Sequence, residues 1–167
     1  MFEIIKIPET RKPVLIGKNG ATKKRIEKET RCSLDIRLDI KIEGEALDVL
    51  VAVKVCKAIG RGFTPKESLL LLDEEYDLFV LPVSGSEKRR HTKLSRIIGR
   101  QGTAKRMLQS YTGAKIAVQG KTISFIGTHE ELDNAVRAAE SLLSGSKHGT
   151  VYKSARKRKA SKKRKSD

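Results

Sequence analysis

The sequence predicts an α+β chain built from one β-α-α-β-β-α module used twice. Three observations carry this. The tetrapeptide Gly17-Lys18-Asn19-Gly20 returns 82 positions later as Gly99-Arg100-Gln101-Gly102. The flanks stay in step, with Ile16 over Ile98, Lys23-Lys24 over Lys105-Arg106, Ile26 over Leu108, Thr30 over Thr112 and Ile36 over Val118. Each copy then continues as a helix former, two alternating stretches and a second helix. In 167 residues with 13 glycines, about one G-x-x-G is expected by chance. Two copies with a shared flank mark a duplicated unit.

In the first copy, residues 2–7 alternate apolar and polar and suit a strand. Pro8 and Pro13 bracket a turn and a short helical piece that ends at Gly17. Residues 21–30 are rich in helix formers, with Ile26 as the main apolar contact. Residues 33–37 and 39–43 alternate as two strands, and 46–59 read as a helix packed on the sheet through Leu47, Leu50, Val51, Val53, Lys54 and Ala58. The second copy repeats the order: a strand over 78–83, a short helix over 92–98, a helix over 103–112, and strands over 115–119 and 122–126 around the tight turn Gln119-Gly120-Lys121. The last helix, 129–143, carries Leu132, Ala135, Val136, Ala139, Leu142 and Leu143 at three- and four-residue steps. The domains expected are 1–62 and 77–152, joined by a linker over 63–76. Residues 153–167, low-complexity Lys, Arg, Ser and Ala, are expected to form a disordered basic tail.

Charge narrows the partner. Lys plus Arg total 36 against 20 acids, a net +16. Residues 153–167 hold nine basic residues and one acid, so half the excess sits in the tail and the rest of the chain is +8 by itself. That distribution suits a polyanion. No apolar run reaches the roughly 20 residues that cross a bilayer, and the start Met1-Phe2-Glu3-Ile4-Ile5 lacks the form of a signal peptide. Membrane association is therefore not expected, and the expected location is cytoplasmic, or nuclear or nucleolar in a eukaryote. Cys32 and Cys56 have neither C-x-x-C spacing nor nearby histidines and read as small buried apolar residues of a reduced protein.

The glycine loop has a direct chemical use. Two glycines permit a sharp turn with no Cβ to block close approach. The loop opens a helix, whose free N–H groups and positive dipole end suit a phosphate. Lys18 and Arg100 add charge inside the loops, and Lys23, Lys24, Lys105 and Arg106 extend it along the next helix. The candidate RNA-binding set is thus Ile16, Gly17, Lys18, Asn19, Gly20, Lys23 and Lys24, with Ile98, Gly99, Arg100, Gln101, Gly102, Lys105 and Arg106. Lys88-Arg89-Arg90-His91, just ahead of the short helix, is a further candidate; His148 and Tyr152 are candidates for docking the C-terminal segment or for an external contact.

The run Val14-Leu15-Ile16-Gly17-Lys18-Asn19-Gly20, and more closely Ile97-Ile98-Gly99-Arg100-Gln101-Gly102 through Tyr111-Thr112-Gly113-Ala114-Lys115-Ile116, resembles a KH domain. The resemblance implies that each loop clamps the backbone of about four single-stranded nucleotides while the bases lie in an aliphatic groove. A total of seven aromatics agrees with such a groove rather than with a stacking platform. One departure is Lys23 and Lys105, third after each loop, where KH modules usually carry an aliphatic residue. With only 16 residues ahead of the first loop and a helix after each third strand, the order is type I. Across residues 2–155 the pair, with Lys147-His148-Gly149-Thr150-Val151-Tyr152 and a basic end, resembles the partner-of-Nob family of small-subunit assembly factors, in an archaeal-type form without the N-terminal extension of eukaryotic members. The Krr family of small-subunit factors is the nearest similar pattern.

The resemblance implies a monomeric protein that holds single-stranded RNA near the 3′ end of small-subunit rRNA during ribosome assembly and pre-rRNA processing. Its implied partners are the Nob-type endonuclease and other assembly factors. The alternative is a general KH-type RNA chaperone or translational regulator with dispersed targets. An enzyme is not expected: Gly17-Lys18 lacks nucleotide-loop spacing, His91, His129 and His148 are dispersed, and no acidic cluster suggests a metal-dependent nuclease. No cofactor or metal is implied.

Overall fold

The computed structural model describes residues 1–166 and divides into two compact units, Met1–Leu78 and Phe79 onward. In the first, strand β1 (Phe2–Ile5) is followed by a 3-10 turn (Glu9–Arg11), helix α1 (Lys12–Ile16), α2 (Ala21–Thr30), strands β2 (Ser33–Ile36) and β3 (Ile40–Glu43), and α3 (Ala46–Gly60). The antiparallel sheet has the order β1-β3-β2, with Ile5 opposite Ile40 and Leu34 opposite Ile42. That register places Ile5, Leu34, Ile40 and Ile42 on one face, where Leu15, Ile26, Val49, Ala52 and Ile59 complete a buried core, while Phe2 and Ile4 alternate to the other face and are exposed. Residues 63–72 also belong to this unit. Thr64 caps α4 (Pro65–Ser68) through a reciprocal pair with Glu67, and Phe63 and Leu71 are buried.

Strand β4 (Tyr76–Pro82) runs across the division, and the second unit repeats the design with it, helices α5 (Glu87–Ile98) and α6 (Thr103–Thr112), strands β5 (Lys115–Gln119) and β6 (Thr122–Thr128), and α7 (His129–Leu143). Its sheet order is β4-β6-β5, with Gln119 opposite Thr122 across a two-residue turn. Ile97, Leu108, Ile116, Phe125, Ala138 and Leu142 meet in its core. Thr128 and Glu131 form a capping box that starts α7 where its apolar stripe begins.

The structure corrects the sequence reading in three places. The basic tail is not a disordered segment: His148–Ser166 forms helix α8, packed against α6 and α7. Val151 and Ala155, one turn apart, are buried in the second core, and Lys, Arg and Ala are good helix formers once such an anchor exists. Asp167, the last residue of the expected tail, lies outside the described residues. Second, α5 begins at Glu87 rather than at 92, because Ser86 caps it by accepting from the Arg89 amide. Lys88-Arg89-Arg90-His91 therefore stand on the helix. Third, α3 buries Val49, Ala52, Val55, Cys56 and Ile59, while the expected contacts Leu47 and Leu50 are 77% and 51% exposed.

Candidate nucleic-acid interface

The two glycine loops share one backbone. Gly17 and Gly99 have φ/ψ of 74/176° and 72/178°, Asn19 and Gln101 have 54/29° and 54/30°, and Gly20 and Gly102 have 74/13° and 73/13°. Three of four positions in each loop are thus left-handed, which explains glycine at the ends. The first glycine is also required for space. A Cβ on Gly17 would stand 2.8 Å from the Thr22 amide nitrogen, and one on Gly99 2.7 Å from that of Ala104. The closing glycine is different: nothing lies within 4 Å of a Cβ on Gly20, so its open side faces outward.

No side chain caps α2 or α6, whereas Ser86 and Thr128 cap α5 and α7. The amides of Ala21 and Thr103, first in each helix, donate instead to the Lys18 and Arg100 carbonyls of the loop, so what each glycine loop presents outward is the positive end of a ten-residue helix with no side chain over it. Lys18 and Arg100 are exposed inside the loops, and Lys24 is exposed one turn on. The other expected cations are more constrained. Lys23 lies 3.9 Å from Glu27, and Arg106 folds back to donate to the Gln101 carbonyl at 2.9 Å, bracing the second loop. Lys105 is half-buried. Ile16 and Ile98, at 38% and 36% exposure, stand at the same place on the rim of each loop.

The units differ beside the loop. In the second, a groove of about 370 Å³ runs between α5 and the β5–β6 turn. Leu94, Ile98 and Val118 give it aliphatic walls, and Gly120 and Lys121 form its far bank. In the first, the residue 82 positions before Leu94 is Lys12, only 9% exposed. Its ammonium donates to the carbonyls of Arg37 and Leu38, at 2.8 and 2.6 Å, and to Glu9. These bonds tie α1 directly to the β2–β3 turn, so the gap that is open in the second unit is spanned in the first. The sequence reading missed Leu94, Val118 and Lys12. The spacing of Leu94 four before Ile98 was the available signal for the groove, and nothing local marks Lys12.

Arginine staples hold both frames. Arg11 donates to the Ile59 and Phe63 carbonyls behind α3, and Arg96 to those of Leu142 and Ser146 behind α7. Helix α8 is docked by several contacts: His148 Nε2 lies 2.9 Å from the Arg96 carbonyl, Tyr152 packs on Tyr111 at 5.4 Å, and Arg156 lies over the Tyr111 ring. Buried Asn134 donates to the Ala155 carbonyl and accepts from Arg158. Of the readings offered for His148 and Tyr152, docking of the C-terminal segment is the one these contacts describe. Cys32 and Cys56 are free and buried. Among the described residues no group of three His, Cys, Asp or Glu is placed to hold a metal, and no helix is long and apolar enough to cross a membrane.

Two βααββα units, each with a glycine loop opening its second helix, define a tandem type I KH protein. Comparison with known proteins agrees: the KH domain family matches residues 2–57, and the eukaryotic type KH-domain (KH-domain type I) family matches residues 80–160. A KH domain-containing protein of Methanocaldococcus jannaschii, MJ0443, is 40% identical over 162 residues, covering 91% of this chain and 71% of that protein. The crystal structure of Dim2p from Pyrococcus horikoshii OT3 superimposes with a TM-score of 0.87 at 35% identity, covering 94% of this chain and 99% of that one. The a/eIF2alpha-aDim2p-rRNA complex from the same organism gives 0.86 at 35% identity, with 96% and 95% covered. The chain belongs to the partner-of-Nob family of tandem KH proteins, to which the Dim2p structures also belong.

Proposed function

We propose that this protein holds a single-stranded segment of small-subunit rRNA, near its 3′ end, during ribosome assembly and pre-rRNA processing. The carrying observation is in the second unit, where the uncapped helix behind Gly99–Gly102 meets the open aliphatic groove. Phosphates bind at the loop through the positive end of α6 and Arg100, and bases lie against Leu94, Ile98 and Val118. The first loop, with Lys18 and Asn19, offers the same phosphate site beside a groove closed by Lys12. It therefore contributes backbone contact, or contact to a protein, without base readout. The P. horikoshii complex, which contains Dim2p and rRNA, supports rRNA as the ligand class. The reading is of a cytoplasmic, monomeric binding protein that positions RNA for another protein's chemistry, the Nob-type endonuclease being the partner proposed.

The test is RNA affinity at two salt concentrations, with the small-subunit rRNA 3′ segment and a scrambled control. The variants are Lys18→Asp/Asn19→Asp and Arg100→Asp/Gln101→Asp. Aspartate tolerates the left-handed conformation at Asn19 and Gln101, so each loop keeps its shape while its charge inverts. The second variant is expected to lose the selective part of binding, and each lost phosphate contact lowers the salt slope by about 0.7. Wild-type binding by both variants would overturn the assignment of the loops. Equal affinity for the scrambled RNA would instead favour dispersed targets.

A further inference from the structure

We propose that Glu87 is a base-selecting residue: its carboxylate, at the end of the second unit's groove away from the glycine loop, accepts a hydrogen bond from a nucleobase amino group and disfavours uracil there. The inference rests on the reading of that groove as an RNA site.

Glu87 lines the groove together with Arg90, His91 and Lys121, and is the sole carboxylate in that lining. A carboxylate accepts and never donates, and it repels phosphate, so nothing about backbone binding calls for one there. Its position removes it from the phosphate site. Glu87 and Ile98 stand eleven positions apart on α5, roughly 16 Å along the axis, which is beyond the screening length of about 8 Å at physiological salt. The side chain is also uncommitted. Among the described residues Glu87 has no hydrogen-bond or ion-pair partner, while neighbouring Arg90 is held by the Gly85 carbonyl at 3.0 Å. A second hollow of about 450 Å³, lined by Glu87, Lys88, His91 and Thr92, adjoins it, so there is room for a base at the carboxylate. The repeat does not require the residue either, since the position 82 earlier is Ile5, buried in a strand. An acid in the first turn of α5 does favour the helix dipole, but that effect is blind to base identity.

The chemistry separates the bases. Cytosine and adenine present an exocyclic amino group with a ring acceptor on one side, which pairs a carboxylate with a neighbouring N–H donor such as Arg90 or His91. Guanine presents two adjacent donors. The sole donor of uracil lies between two carbonyl oxygens, both of which face the carboxylate unfavourably.

The experiment uses the full chain and a set of oligonucleotides in which each position of the small-subunit rRNA 3′ segment is replaced in turn by uracil. Wild type is compared with Glu87→Gln and Glu87→Ala, each checked by thermal melting. Wild type is expected to lose roughly tenfold in affinity when uracil occupies one particular position. Both variants are expected to reduce that loss to twofold or less, with the other positions unaffected. A uniform change across all oligonucleotides would show a general charge effect and overturn the proposal, as would a wild type indifferent to uracil at every position. If wild type binds no RNA, the proposed function falls and this inference with it. If binding is selective but insensitive to Arg100→Asp/Gln101→Asp, the loop assignment fails while the Glu87 result stands on its own.

Discussion

Replacing Lys12 by leucine, the residue at the matching position of the second unit, tests the closed groove of the first. The ammonium donates to two backbone carbonyls at 2.8 and 2.6 Å. Hydrogen bonds from a charged donor contribute about 1.5–3 kcal/mol each. Arg37 and Leu38 are both exposed, so water replaces the lost donor and the lower end applies, about 3 kcal/mol for the pair. The Glu9 partner is 76% exposed, and its ion pair adds little. Burial of the new leucine returns about 1 kcal/mol, leaving a net loss of about 2 kcal/mol. Urea unfolding measures that loss, and amide exchange in the β2–β3 turn is expected to accelerate about 30-fold with it. In RNA footprinting the variant is expected to protect a longer segment, since the first groove opens. Stability within about 0.5 kcal/mol of wild type together with unchanged exchange would refute the reasoning, because a surface lysine behaves that way.

The glycines of one loop are expected to respond unequally. Gly99→Ala forces a Cβ to 2.6 Å from that of Ala104 at φ 72° and should cost more than about 2 kcal/mol, while Gly102→Ala meets only the flexible end of Arg106 at 3.5 Å and should cost about 1 kcal/mol, as read by thermal melts; equal losses would contradict the packing argument. Asn134→Ala strips the Ala155 carbonyl and Arg158 of their buried partner, so α8 is expected to detach more often and trypsin to cut within residues 156–165 about tenfold faster; an unchanged rate would show that Val151 and Ala155 suffice. Burial pushes the Cys56 thiol from 9.0 up to about 12. The folded state therefore holds the proton that the unfolded state releases: stability is unaffected below pH 9 and falls by about 1.4 kcal/mol per unit between pH 9 and 12. Wild type should lose urea resistance over that window more steeply than Cys56→Ala, and parallel curves would contradict this.

Much of the fold is legible residue by residue. Helices 21–30, 103–112 and 129–143 begin and end where the pattern places them, because a glycine loop or a capping box precedes each and a stripe or helix-forming run defines the rest. The inward face of α3 is not legible. The segment is apolar almost all round, so period alone does not choose between Leu47-Leu50 and Val49-Ala52-Cys56-Ile59. The first two turns of α5 carry no apolar residue before Leu94, and the Ser86 cap is a weaker signal than a stripe. That shortfall hid the groove wall and Glu87 with it. In α8, nine like charges outweighed the pair Val151 and Ala155, whose meaning depends on α6 and α7 lying beside them.

By itself the sequence determined the duplicated module, its order of strands and helices, the sharp turns at both glycine pairs and the excess of positive charge. Each of these follows from short-range rules: backbone sterics at a glycine, the period of apolar residues, the sum of charges. Only the tertiary structure decided that one groove is open and its counterpart is spanned, that the basic end is a docked helix, and that Glu87 stands uncommitted in the groove lining. Lys12 reaches a carbonyl 25 residues away, Asn134 one 21 residues away and His148 one 52 residues away. Such bonds exist only once packing has brought distant segments within 3 Å, and no local preference of either partner encodes the meeting.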